Sequence, residues 1–383
     1  MPRTGTANLP LHGGRAPRWL FQRMSRLARE ITIAVVSDGG PELMLRKLSD
    51  PFWFQALGCA LGFDWHSSGV TTTVCGAIKE GTKDLQGELG LFVCGGKGRA
   101  SRKTPAEILD RGHLTEADPN ALVHASRISA KVDSSAVQDG FQVYHHVFMF
   151  TAGGAWSVVQ QGMNEGTGYA RRYHWLSETA PDLVSEPHAA VCCDSTTSTL
   201  NLVAHESATT RSRSAELARE KPVRLLQELR GAASTAAGSS GVAPSLGLPR
   251  RHEVTTADLN PDRLAKVFLA TYEAAPAGFE ELLSVGGVGA KSLRALALLS
   301  ELLYGDAPSF QDPARYSFAH GGKDGFPYPV DREIYDRSIE TLRETLRQAK
   351  MGDSDRLKAF KRLGRFTEER ARMQAQCRPQ GRT

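Results

Sequence analysis

The feature that most constrains the fold of this 383-residue chain is a change of hydrophobic period near residue 140. Before it, apolar residues recur every three to four positions, as at Leu20, Met24 and Leu27, the spacing that lines one helix face. After it they alternate. Residues 141–150 and 156–161 read as strands joined by a hairpin at Gly153-Gly154, and residues 169–176 offer a third strand. From about residue 256 to 350 the helical period returns. Helices, then short antiparallel strands, then helices again make an α+β protein whose small sheet must be covered by helices.

Several boundaries carry their own chemistry. Asp50-Pro51 pairs an N-cap carboxylate with a proline at the first helical position, opening an apolar helix through Leu61. Residues 69–80 read as a helix. Leu91–Cys94 reads as a buried strand that ends in a glycine loop bearing Lys97, Arg99, Arg102 and Lys103. Thr104-Pro105-Ala106-Glu107 has the form of a capping box, and residues 119–136 read as helix. Residues 31–36 suit strand or helix equally. The stretch 205–252 breaks the composition, with Gly, Ala, Ser and Pro dominating 230–247, and reads as a flexible linker. The organisation expected is a mixed domain with a small antiparallel sheet over 1–204, the linker 205–252, an all-α domain over 253–350 and a basic tail over 351–383.

A formal net charge of +5 is too mild to name a partner, but its placement suits a polyanion. Residues 1–29 hold six arginines and no acid, and the tail after Arg356 is again basic. Solubilising tails would look the same. No run of about 18 apolar residues is present, so no membrane span is expected. No apolar core follows the basic N-terminus, so no secretory signal is expected either, and a cytoplasmic location follows. The cysteines Cys59, Cys75, Cys94, Cys192, Cys193 and Cys377 form no C-x-x-C pair, and neither a zinc site nor another metal or cofactor is expected.

The clearest functional signal lies at 285–292. An apolar helix from Pro261 to about Leu283 precedes Val285-Gly286-Gly287-Val288-Gly289, and a second apolar helix begins at Ala290. Gly287 and Gly289 free the backbone and let it approach a ligand closely. Main-chain N–H groups at the head of a helix attract a phosphate, Lys291 adds charge, and Ser292 adds a hydroxyl. An ordinary tight turn between core helices would read the same way in its spacing alone. This segment resembles a helix-hairpin-helix, the backbone clamp of many DNA repair proteins, and the order Gly-Val-Gly-x-Lys, apolar helix, Pro329-Val330-Asp331 resembles the base-excision glycosylases of that superfamily. The resemblance implies that Lys291 attacks the sugar C1′ and that Asp331 assists departure of the base. Their 40-residue separation exceeds the spacing of those enzymes because of a Gly/Pro-rich insert at 305–328. Lys291 as a phosphate contact and Asp331 as a helix cap are the structural alternatives.

The whole chain resembles the prokaryotic family labelled domain of unknown function 763, through Arg3–Arg15, Asp50–Thr73 and Val159–Trp175, stretches that lie in the first 180 residues. That label implies a prokaryotic, intracellular protein and no activity. Within this part, Trp65 and His66 in the loop Asp64-Trp65-His66-Ser67-Ser68 could stack on or bond to a base. A helix-joining loop with a buried Trp is the plain alternative. Arg171, Arg172 and Trp175 interleave cations with aromatics, as single-strand binders do, and Gln160 and Gln161 at a strand end could read base edges. An edge strand with a cationic face is the plain alternative. Lys131 and Asp133 read as a solvated pair. His145 and His146 face opposite sides of a strand and cannot share a metal simply. His12 and Asp38 sit in glycine-rich loops, where turn chemistry explains them equally.

The function expected is therefore DNA binding by a repair enzyme, a base-excision glycosylase with or without lyase activity. A metal-dependent nuclease with its carboxylates in the N-terminal part, and a non-catalytic DNA-binding protein, are the alternatives.

Overall fold

The computed structural model describes residues 16, 18–62, 69–193, 196–238, 261–314, 332–349, 352 and 355–364. The chain opens with α1 (Arg18–Ser49), broken at Gly39-Gly40 ahead of Pro41. Met24, Leu27, Ala28, Ile31, Ala34 and Val35 are buried along it, so residues 31–36 continue the helix instead of forming a strand. Helix α2 (Pro51–Leu61) starts where Asp50 caps it, its Oδ1 accepting from the Phe52 and Trp53 amides at 2.8 and 3.3 Å. Such a cap contributes about 1 kcal/mol. Helices α3 (Gly69–Thr82) and α4 (Gln86–Leu89) lead into strand β1 (Leu91–Lys97).

Helices α5 (Thr104–Arg111) and α6 (Pro119–Lys131) follow, and a π-helical turn over Val132–Ala136 leads into β2 (Val137–Gln138). The capping box expected at Thr104 does not form. Glu107 instead turns its carboxylate to the Gly95 amide at 2.8 Å and the Lys79 ammonium at 2.6 Å. Strands β3 (Gln142–Thr151), β4 (Trp156–Asn164), β5 (Tyr169–Leu176) and β6 (His188–Cys192) complete the main sheet. It is antiparallel, with strand order β1-β3-β4-β5-β6, and β7 (Leu200–Asn201) pairs separately with β2.

Alternation puts the two faces of the sheet into two cores. Val93, Val147, Met149 and Val159 pack with α1–α3, whereas Phe92, Phe148, Phe150 and Trp175 face the other way. That second core takes in the C-terminal helices. Residues read as linker form α7 (Ala208–Ala218) and α8 (Pro222–Gly238), because Leu217, Leu225 and Leu229 have apolar surface to bury against. The helix expected from Pro261 to Leu283 is two helices, α9 (Pro261–Ala274) and α10 (Phe279–Ser284), split by Ala275-Pro276-Ala277-Gly278. Then come α11 (Ala290–Tyr304) and α12 (Arg332–Gln348), with a last helix over residues 355–364. Phe268, Leu282, Leu293 and Leu296 share one apolar cluster with Phe92 and Phe148. Gln138 ties α11 to β2, donating to the Ala290 carbonyl at 2.8 Å and accepting from Arg294. Among the described residues no helix is long and apolar enough to cross a membrane.

Candidate functional site

The glycine turn between α10 and α11 is anchored from within and open outside. Val288 is 1 % exposed and fixes the turn in the core, while Gly286, Gly287 and Lys291 are exposed. The Val288 amide donates to the Val285 carbonyl at 3.2 Å, and Gly287 takes φ +87°, a conformation that favours glycine. Ser292 closes the head of α11: its Oγ accepts from the Gly289 amide at 2.9 Å and donates to the Gly289 carbonyl at 3.0 Å. The Val288 side chain and the Ser292 hydroxyl are thus used internally and are not offered to a ligand. Among the described residues the amides of Gly286, Gly287 and Ala290 meet no acceptor. A Cβ added at Gly286 or Gly289 would meet nothing within 4 Å, so packing does not explain glycine there.

Gly286 forms one lip of a cleft of about 700 Å³ between α6, the start of α5, the end of β3 and the turn itself. Among the described residues, Arg102, Arg127 and Lys131 line it together with His124, and no carboxylate does. His124 is paired at the rim with Glu280 at 2.6 Å. Arg102 and Arg127 are exposed and make no ion pair among the described residues. Lys131 is partly buried, and burial pulls its ammonium below the usual lysine range.

Behind the cleft runs a buried relay. Gln160 offers Oε1 to His146 Nδ1 at 2.9 Å, which makes that nitrogen the donor and leaves Nε2 to accept from the Ser126 hydroxyl at 2.9 Å. Gln160 Nε2 donates to Asp133 at 2.5 Å, and Trp175 Nε1 reaches the same oxygen at 3.0 Å. His188 Nε2 lies 2.5 Å from the other. Burial depresses the His146 pKa, so the imidazole facing the cleft is neutral. Asp133 is fully buried, and the solvated Lys131–Asp133 pair expected from sequence does not exist.

The other residues expected to meet a nucleotide are interior. Arg171, Arg172 and Trp175 are at most 1 % exposed, and Gln160 and Gln161 are fully buried. β5 lies between β4 and β6, so it has no free edge, and the two cores packed on opposite sides of the sheet bury its faces. Arg171 bonds Asp139 at 2.9 Å and Asp312 at 2.7 Å, over the ring of Phe141. Arg172 donates to His174 Nε2 at 2.8 Å and to Gln55 at 3.3 Å, over the ring of Phe54. His145 and His146 do face opposite sides. His145 finds no hydrogen-bond partner, and burial pulls its pKa down to about 3.

Lys291 stands beside the turn on the first turn of α11 but does not line the cleft. Trp65, His66, His12 and Asp331 lie outside the described residues, as does most of the insert. Of that insert, 305–314 lies against the N-terminal part, where the Asn201 amide bonds the Ser309 carbonyl at 2.9 Å. Sequence reasoning missed Arg127 and Lys131 as a site. Their i, i+4 spacing on a helix was the available signal, and it acquires meaning only once the glycine turn is seen across from them.

Among the described residues no group of three His, Cys, Asp or Glu side chains could hold a metal. No curated protein and no solved structure matches the chain. A family model described as protein of unknown function, DUF763, matches residues 5–330, and the chain belongs to that family.

Proposed function

We propose that this chain is a DNA-binding repair enzyme that grips a backbone phosphate at the Gly286–Ala290 turn and presents the neighbouring nucleotide to the cleft beside it. One observation carries the reading. An exposed glycine turn at the head of a 15-residue helix, whose Gly286, Gly287 and Ala290 amides meet no acceptor among the described residues, opens onto a cleft that those residues line with three cations and no carboxylate. Two helices joined by such a turn make a helix-hairpin-helix, and α10–α11 is read as one. The cleft has room for one nucleotide, which must leave the base stack to enter it.

Within this reading the two lysines divide the work. Lys291, exposed beside the turn, neutralises phosphate. Lys131 lines the cleft, and burial shifts its ammonium toward losing a proton; it is the amine assigned to attack the sugar C1′ as the bond to the base breaks and the base departs, as in a glycosylase with lyase activity. Lys131 lines the cleft and Lys291 does not, which supports assigning the amine to Lys131.

The test uses the full chain and duplex DNA carrying an abasic site or a damaged base. Binding should weaken steeply with salt. Borohydride should trap a covalent complex that Lys131→Ala removes, and Lys291→Ala should weaken binding while leaving trapping at saturating protein. Absence of salt-dependent binding would remove the proposal. Trapping that survives Lys131→Ala but not Lys291→Ala would return the amine to the turn.

A further inference from the structure

The cleft at the turn has a counterpart on the opposite face of the sheet. A second cavity of about 1010 Å³ lies between α1, α3 and the ends of β1 and β3. Among the described residues Arg18, Lys79 and Lys97 line it and, as in the first, no carboxylate does. Lys79 is already bonded to Glu107, but Arg18 and Lys97 are exposed and make no ion pair among the described residues. His146 faces the first cavity and Val147 the second, so the two are separated by the thickness of the sheet near its β1 edge.

The chain itself joins them. β1 ends at Gly95-Gly96-Lys97 in the second cavity, and the next residues, Gly98–Lys103, curl in a 3-10 helix to Ser101 and Arg102 in the first. That link is roughly 12 Å long at 2 Å per residue. It exposes Arg99, Arg102 and Lys103, none of them ion-paired among the described residues. Elsewhere exposed arginines such as Arg46, Arg224 and Arg347 do have carboxylate partners. β1 is an edge strand, so nothing in the sheet lies beyond this rim.

We infer that the two cavities and the Lys97–Lys103 rim form one continuous track for single-stranded DNA, which passes around the β1 edge from the glycine turn to the far face. Polyanion recognition calls for cations at successive intervals, and Arg18, Lys97, Arg99, Arg102 and Lys103 supply them without an ion pair among the described residues, while the acids that reach the path, Glu107 and Glu280, are held by Lys79 and His124. A duplex does not fit the path: its persistence length of about 150 base pairs forbids bending around a sheet edge, whereas an unpaired strand follows it. The inference rests on the DNA-binding reading above and assigns it a strand preference and a second contact region. It gives the second cavity, which that reading leaves unused, the role of holding the strand beyond the reacting nucleotide.

Oligo-dT of 5 and 20 nucleotides and a 20-base-pair duplex, bound to the full chain at 0.1 M salt, test the track. The wild type should bind dT20 more tightly than dT5 or the duplex. Each lost phosphate contact on a single strand removes about 0.7 from the salt slope, or about fivefold in affinity at 0.1 M salt. The exposed pairs Arg18→Glu with Lys97→Glu, and Arg99→Glu with Arg102→Glu, should each weaken dT20 by at least that factor with unchanged melting temperature. Undiminished dT20 binding by the Arg18/Lys97 variant, or a duplex preferred to dT20, would overturn the track while leaving the DNA-binding reading standing. No binding of any of the three probes would remove both.

Discussion

Arg171 on β5 donates to Asp312 at 2.7 Å, fastening the segment that follows α11 to the main sheet. Asp312 in turn accepts from the Thr197 amide at 2.8 Å, and Arg171 also holds Asp139, which accepts from the Tyr173 hydroxyl at 2.6 Å. A guanidinium between two carboxylates is a sound use for an arginine with no access to water. Although burial alone would lower its pKa, the Asp139 and Asp312 charges hold it well above the usual value.

Replacing Arg171 with Met should therefore be costly. The side chain is close in volume, but two carboxylates would lose their cation inside the protein. Removing one partner from a buried ion pair typically costs about 3–5 kcal/mol. The urea midpoint of Arg171→Met should fall accordingly, and Asp312→Asn, which keeps a hydrogen bond to the Thr197 amide possible, should cost less. Equal midpoints for Arg171→Met and wild type would show that the bond does not fasten the segment.

How much of this was legible in the sequence depends on the range of the interaction. The three strands 141–150, 156–161 and 169–176, the N-cap at Asp50 and the glycine turn at 286–289 are local patterns, and each is found close to where its spacing put it. Arg171, Arg172 and Trp175 failed as surface residues because elements distant in sequence cover both faces of β5, with Asp312 against Arg171 and Gln55 of α2 against Arg172. The same holds for α7 and α8. A small-residue composition reads as linker unless the partner that takes up Leu217, Leu225 and Leu229 is known. The cleft was invisible for the same reason: its lips are more than a hundred residues apart, at Lys131 and Gly286.

Three buried imidazoles set an acid limit on stability. Burial lowers the pKa of His145 to about 3, lowers that of His146, and lowers that of His174 well below the usual range. A depressed histidine pKa means that the unfolded chain binds protons that the folded chain refuses. Stability is then complete above pH 6.5, the ordinary histidine value, and declines as pH falls from there. Each imidazole contributes a slope of up to about 1.4 kcal/mol per pH unit below that point, until the pH reaches that ring's own folded-state pKa. Denaturant midpoints between pH 7.5 and 4.5 should trace the decline, and His145→Gln should flatten it by about one imidazole's share. A midpoint constant over that range would show that these rings titrate normally.

At Gly95 an added side chain would collide with the neighbouring strand's main chain. The residue has φ +92°, and a Cβ there would lie 2.2 Å from the His146 carbonyl oxygen and 2.5 Å from Thr104 Oγ1. Backbone cannot yield as a side chain can. Gly95→Ala should cost several kcal/mol, combining overpacking with left-handed strain, about 1–3 kcal/mol each. Gly287→Ala is the informative contrast. Its added Cβ would meet only Val267 Cγ2 at an ordinary 3.6 Å, so only the strain of φ +87° remains, about 1 kcal/mol. Thermal melts should rank the two variants in that order, and a reversed order would show that the β1–β3 approach is looser than 2.2 Å implies.

The amine assignment in the cleft can be tested without any substrate. A lysine reacts with an acylating reagent only as the neutral amine, so a lowered pKa raises its reactive fraction at a fixed pH. Burial lowers the Lys131 pKa, whereas Lys83, hydrogen-bonded to Glu80 at 2.6 Å, is held above the ordinary value. In competitive labelling of the native chain at pH 8, read by peptide mass spectrometry, Lys131 should acylate ahead of Lys83 despite being the less exposed of the two. Raising the pH to 10 should narrow the gap, because Lys131 is deprotonated first and gains less from the change. A single-stranded oligonucleotide that fills the cleft should protect Lys131 and leave Lys83 reactive. If Lys83 labels first at pH 8, Lys131 is an ordinary ammonium ion, and its place in the cleft is that of one more phosphate contact beside Arg127.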